Sequence, residues 1–142
     1  MVSKDEAVSI DGSGTFRNLC CGGEANSCII DGGLLTRNDP LFYFSQSLDF
    51  SLQGIAFRNF THSGDWGALL HAKGLAIVVL KHITATSYSS EDNGNVLYLG
   101  MSSIAIIKYS VFNNNKGLNS HSSGGGIYAD ASSRTYLFGK SF

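Results

Sequence analysis

The sequence has 142 residues, a formal net charge of -1, 15% charged residues and 43% hydrophobic residues. That apolar share excludes an intrinsically disordered chain and suffices for the core of one domain. The near-zero charge gives no electrostatic grip on nucleic acid or anionic membranes, and the longest apolar stretches, Leu75 to Leu80 and Ile104 to Ile107, are far too short to cross a bilayer.

From the start, Met1 to Val8 lacks the basic and apolar regions of a secretory signal, so no signal peptide is visible. Residues 1–27 are polar and glycine-rich, with a weak apolar step at Val8, Ile10, Phe16 and Leu19, and read as an N-terminal segment. Three cysteines cluster at Cys20, Cys21 and Cys28, and the Cys21–Cys28 spacing suits a small disulfide-closed loop. Such a bond implies an oxidising compartment; the alternative is three reduced thiols beside a strand. Zinc fits less well, because no nearby histidine completes a tetrahedral set.

The first strand is expected at Cys28-Ile29-Ile30, stopped by Asp31-Gly32-Gly33, and the next at Leu41 to Phe44 behind Pro40. Phe50 to Phe57 holds two alternating apolar sets broken at Gly54, the pattern of a strand that bends from one sheet into another. Further segments are Ala68 to Leu70, Leu75 to Ile83, Val96 to Leu99, Ile104 to Phe112, Ile127-Tyr128 and Tyr136 to Phe138. The polar stretch Ser87 to Asn95 reads as a protruding loop. Asn113 and Asn114 suit a corner whose side chains extend into hydrogen-bonded ladders.

These segments repeat. Phe57, Ile83, Phe112 and Phe142 recur at steps of 26, 29 and 30 residues, each preceded five positions earlier by Leu52, Val78, Ile107 and Leu137. Gly67, Gly94 and Gly125 follow the first three, each ahead of a short apolar run. No helix-length amphipathic stretch is present, and the hairpin signal expected of a sandwich occurs only at Asn93-Gly94. The fold is therefore expected to be all-β, a single-stranded parallel β-helix of about four to five coils over 28–142, with like side chains stacked inside the tube. Since Phe142 falls mid-repeat, the chain is expected to be an incomplete fragment prone to end-to-end self-association.

Phe112-Asn113-Asn114-Asn115 followed by Gly124-Gly125-Gly126-Ile127-Tyr128 resembles the paired motif of the polymorphic outer-membrane protein repeats, a branch of the pectate-lyase-like right-handed β-helices. Phe57-Arg58-Asn59 with Gly67-Ala68-Leu69, and Ile83 with Gly94-Asn95-Val96, are weaker copies. Cys28-Ile29-Ile30-Asp31-Gly32 resembles the opening coil of algal secreted β-helix proteins. The resemblance covers about residues 20–142 and implies a right-handed solenoid, extracellular or at a cell surface, adhesin-like or associated with the cell wall. It carries no active site across.

β-helices also host polysaccharide lyases and hydrolases, so catalysis has to be argued from residues. Asp65 and Asp92 are the one carboxylate pair that repeat spacing brings near each other, and solvated loop positions account for them more simply. The motifs of polygalacturonases and pectate lyases are absent. His62, His71, His82 and His121 are dispersed, which gives no metal set, and no cofactor is expected. Gly124 to Gly126 lacks the lysine and helix of a phosphate loop and reads as a corner. Thr84-Ala85-Thr86 is too isolated for an ice-binding column.

Trp66, Tyr88 and Tyr98 are the candidate ligand-binding set, as aromatic faces on a rigid surface stack on sugar rings. The expected function is a non-catalytic extracellular or cell-surface module, structural or adhesive, toward polysaccharide or surface proteins. The competing class is a carbohydrate-active enzyme fragment whose catalytic coils are missing or degenerate.

Overall fold

Many strands of this chain are short because a residue of positive φ follows within three positions and turns the backbone, as at Gly54, Asn59, His82, Ser87, Tyr109 and Asn114. A computed structural model describes residues 8–11, 17–20, 28–33, 36–45, 49–63, 69–91, 96–118, 125–130 and 132–139. The first winding comprises β1 (Val8–Asp11), β2 (Arg17–Cys20), β3 (Cys28–Asp31) and β4 (Thr36–Arg37). The second comprises β5 (Phe42–Ser45), β6 (Asp49–Gln53), β7 (Ile55–Arg58) and β8 (Thr61–His62). The third holds β9 (Leu70–Ala72), β10 (Ile77–Lys81), β11 (Thr84–Thr86) and β12 (Ser89–Ser90). The fourth holds β13 (Leu97–Leu99), β14 (Ile104–Lys108), β15 (Val111–Asn113) and β16 (Lys116–Gly117), and β17 (Ile127–Ala129) and β18 (Arg134–Phe138) follow.

Strands in equivalent places pair only with those of the winding above and below. The first sheet runs β1-β5-β9-β13-β17 and the second β18-β14-β10-β6-β2; the third is β15-β11-β7-β3 and the fourth β16-β12-β8-β4. Pairing is parallel throughout, as in β6 with β10 and β10 with β14. The chain is an all-β parallel β-helix, with no helix among the described residues.

Alternation then sorts the side chains. Along β10 and β14 every second residue is fully covered, placing Val78, Leu80, Ala105 and Ile107 inside. Opposite them, Phe44 packs 4.5 Å from Phe50, and Phe42 meets Phe57 edge-on at 6.2 Å. These contacts join the first sheet to the second and third across an apolar interior.

Leu52, Val78 and Ile107 are all fully buried, but in register Leu52 pairs with Leu80 and Leu80 with Ile107, while Val78 pairs with Phe50 and Ala105. The column containing Phe57 and Phe112 likewise takes Ala85, and Ile83 precedes it. A slip of two residues keeps the same face inward, so the interior set is unchanged while its stacking differs from the spacing-based expectation. The expected strand at Ala68 to Leu70 lies two residues later, as β9. In the expected loop Ser87 to Asn95, Tyr88 is buried and Ser89–Ser90 forms β12; residues 92–95 lie outside the described set.

Corners stack as well. Gly54, His82, Tyr109 and Gly139, each directly after its second-sheet strand, have φ of 72, 52, 50 and 79°. Their amides continue the ladder: Gly54 N donates to Lys81 O at 3.1 Å and His82 N to Lys108 O at 3.0 Å. The next corner holds Asn59, Ser87 and Asn114 at φ 57, 59 and 55°. The ladder-forming asparagine is Asn115 and not Asn113 or Asn114: its Oδ1 accepts from Tyr88 N at 3.1 Å and its Nδ2 donates to Ala85 O at 3.2 Å.

At the lower end of that corner, the Asp31 carboxylate accepts from Gly33 N at 2.9 Å, Asn59 Nδ2 at 3.1 Å and Arg58 Nε at 2.7 Å. The Gly33 amide first, then Asn59 and Arg58, hold the Asp31 carboxyl below its ordinary value. A group with a lowered folded pKa stabilises above its unfolded pKa and loses that contribution as pH falls through the folded value.

Two outcomes are expected. Ser87→Val, which places a β-branched residue at φ 59°, destabilises the protein by about 1–2 kcal/mol in denaturant unfolding, whereas Ser87→Asn is neutral or slightly stabilising; a neutral valine would contradict the corner account. The melting temperature of the wild type exceeds that of Asp31→Asn at neutral pH, and the gap closes as pH drops below about 4. A gap independent of pH would remove the ionic role of Asp31.

Candidate ligand groove on the first sheet

In the first sheet β5, β9 and β13 each place apolar residues inward on both sides of one outward residue. Phe42 and Phe44 flank Tyr43, Leu70 and Ala72 flank His71, and Leu97 and Leu99 flank Tyr98. Parallel register stacks the outward residues: Tyr43 pairs with His71, His71 with Tyr98 and Tyr98 with Tyr128. Their ring centroids are 4.9, 4.8 and 5.2 Å apart, close to the spacing of the windings themselves.

Because each ring covers the next, His71 is 4% and Tyr98 5% exposed although both point away from the core. The inner members of the ladder are therefore almost wholly covered, their faces spent on one another and the Tyr98 hydroxyl on Asp130.

Two residues further along, Lys73, Gly100 and Asp130 form a second outward column. Their amides donate to Phe44 O at 3.0 Å, Ala72 O at 2.9 Å and Leu99 O at 2.9 Å. Between the columns lies a groove of about 410 Å³ lined by Tyr43, His71, Lys73, Tyr98, Gly100, Met101 and Asp130. The Lys73 ammonium sits 5.3 Å from the centre of the Tyr43 ring. Asp130 leans over the glycine of the middle winding: its Oδ2 accepts from the Tyr98 hydroxyl at 2.7 Å. Its Oδ1 is buried, and no donor reaches it among the described residues.

Gly100 creates this arrangement. A Cβ there would lie 3.0 Å from Tyr98 Cε1 and 3.2 Å from Asp130 Oδ1, so any side chain would displace the ring or the carboxylate. Lys73 and Asp130 form no ion pair with each other, as the only salt bridge among the described residues joins Arg58 to Asp31. The groove thus presents a base at one end, an acid at the other and aromatic carbon between them.

The sequence-derived candidates separate. Tyr98 is central to the groove. Tyr88 is corrected: it is fully buried and stacks on Phe60 at 5.0 Å, because the positive-φ corner at Ser87 turns it inward and Asn115 fastens its amide. It cannot offer a ring face to a sugar. Trp66 lies outside the described residues, as do Asp65, Asp92 and His121. Cys28 is disulfide-bonded, and Cys21 lies outside the described residues.

Elsewhere, His62 is buried and His82 stacks on Tyr109 at 5.3 Å. Thr84 and Thr86 pair with Ala56 and Arg58 below and with Val111 and Asn113 above, so no threonine column forms. The Gly126 carbonyl accepts from Val96 N and Leu97 N at the bend before β17. Among the described residues no three His, Cys, Asp or Glu side chains gather in a group able to hold a metal.

Tyr43, His71, Lys73, Gly100, Tyr128 and Asp130 were not singled out as a site by the sequence. A signal for the ladder was present, since Phe-Tyr-Phe, Leu-His-Ala, Leu-Tyr-Leu and Ile-Tyr-Ala each place one ring between two apolar residues at repeat spacing. Compared with protein-family models, with curated proteins and with solved structures, the chain matches none.

Proposed function

We propose that this protein is a non-catalytic, extracellular or cell-surface β-helix module that binds glycans through the groove on its first sheet. The observation that carries this reading is the groove itself, in which the partly exposed Tyr43 ring, at the end of the aromatic ladder, stands beside polar groups on a β-scaffold. Sugars are amphipathic in the same sense, with C–H surfaces that pack on aromatic carbon and hydroxyls that exchange hydrogen bonds. The disulfide at Cys28 supports an oxidising compartment. The resemblance to polymorphic outer-membrane protein repeats supports a surface role of the adhesive kind.

The non-catalytic part rests on the carboxylates. Glycoside hydrolysis by the usual route requires two, on opposite sides of the scissile bond. Among the described residues the groove contributes one, Asp130, and that one already accepts from Tyr98. End-to-end self-association is a further expected property: Tyr136, Leu137 and Phe138 on β18 are 43–49% exposed and would be covered by another layer.

Screening the purified protein on a glycan array, then titrating the hits, tests the reading. Binding without turnover is expected, and Tyr43→Ala should weaken it about tenfold, the effect of removing one aromatic wall. Release of reducing or unsaturated sugars, or binding indifferent to Tyr43, would contradict it.

A further inference from the structure

We propose that the outer face of the second sheet is the interface of a closed dimer, in which a second copy of this chain packs face to face across a two-fold axis that runs parallel to the strands between β10 and β14. The groove lies on the first sheet and takes no part in this contact.

The face is apolar where a solvated sheet face is ordinarily polar. Alternation sends Ile77 and Val79 of β10 and Ile104 and Ile106 of β14 outward, and each is partly exposed. On β18, Tyr136 and Phe138 point the same way and are 43% and 49% exposed. Leu75 and Met101, each 62% exposed, extend the patch at the corner before the strands. A contiguous apolar patch of this kind marks a contact surface.

Register decides the occupant. Along the axis the outward residues of β6, β10, β14 and β18 form three columns: Asp49-Ile77-Ile104-Arg134, Ser51-Val79-Ile106-Tyr136 and Gln53-Lys81-Lys108-Phe138. A two-fold axis along the strands reverses the order of the windings and preserves position along each strand, so every column faces its own inverse. The first column complements that inverse: Asp49 meets Arg134 of the second copy and Ile77 meets its Ile104, with the same pairs repeated across the axis. Asp49 and Arg134 are both exposed, and neither forms an ion pair among the described residues. In the second column Val79 meets Ile106, and the large Tyr136 lies over the small Ser51. In the third, Phe138 covers Gln53 and Lys81 meets Lys108 at the strand ends, where long stems let both ammonium groups turn to water. The other two-fold, along the helix axis, would lay Ile77 on Lys81 and Asp49 on Gln53.

Four strands of five residues cover about 19 by 17 Å. With the rim at Leu75 and Met101, two copies bury roughly 1,000 Å², the lower limit for a specific interface, so a Kd in the micromolar range is expected. End stacking is a different contact: it covers Leu137, which points inward in register with Ile107, and without a closing two-fold it adds copies without limit.

Sedimentation equilibrium from about 1 to 100 μM is the test. A monomer–dimer equilibrium that stops at two copies is expected. Asp49→Arg and Arg134→Asp should each weaken it at least tenfold by setting like charges opposite each other, and the double variant should return to within about threefold of the wild type. No contact inside one chain gives that rescue, because the two positions lie three strands apart. Ile104→Glu should abolish the dimer. All three side chains project outward, and unchanged circular dichroism spectra and melting transitions would confirm that the variants are folded.

A monomer at every concentration would overturn the proposal. So would a dimer indifferent to Ile104→Glu, single charge reversals that the double variant does not rescue, or an open series of oligomers, which would assign self-association to the ends. Partition onto phosphatidylserine vesicles by a chain that stays monomeric in solution would assign the face to a membrane and overturn it as well.

Discussion

The backbone hydrogen bonds between successive windings are the constraint on which everything else in this protein depends. They run along the axis, from β6 to β10 to β14 in the second sheet and through the corners at Gly54, His82 and Tyr109, so each residue has a fixed neighbour about 4.8 Å above and below. A side chain is therefore chosen less by its sequence neighbours than by the residues one winding away. Core, corner and groove are three consequences of the same register.

In the core, the register turns alternation into columns of apolar side chains, and the burial of Leu52, Leu80 and Ile107 follows from it. At the corners it imposes a left-handed conformation on whatever residue arrives there, glycine at Gly54 and Gly139 but histidine and tyrosine at His82 and Tyr109. Each non-glycine residue there costs about 1–2 kcal/mol of backbone strain. The His82–Tyr109 stack and the amide bonds to the next winding offset part of that cost. On the outer face of the first sheet the register lines up Tyr43, His71, Tyr98 and Tyr128, and, beside them, Lys73, Gly100 and Asp130. The groove exists because one member of that second column lacks a side chain.

Much of this architecture was legible in the residues. Gly54 between two alternating sets located the bend, the five-residue spacing from Leu52 to Phe57 located two inward positions on adjacent sheets, and Asp31-Gly32-Gly33 ended its strand. What misled was the uneven winding length. The step from Phe50 to Val78 is 28 residues and from Val78 to Ala105 is 27, whereas Arg17 to Phe50 takes 33. Val78 and Ile83 are also five apart, and Ile83 is larger than Ala85, the residue in register with Phe57 and Phe112, so the spacing together with side-chain size at that one position drew the column two residues early. The site was harder to read, because Tyr88 looks like a loop residue among serines until the corner at Ser87 turns it inward. The acid and base of the groove stand 57 residues apart in sequence, joined only by the stacking that makes Lys73, Gly100 and Asp130 neighbours.

Nuclear Overhauser contacts between backbone protons of successive windings measure that register directly. The account requires Leu52 to contact the winding at Leu80 and Leu80 that at Ile107, in parallel, with Tyr43, His71, Tyr98 and Tyr128 connected in the same order. Contacts joining neighbouring strands in antiparallel fashion, or placing Leu52 and Ile107 in unconnected layers, would contradict it.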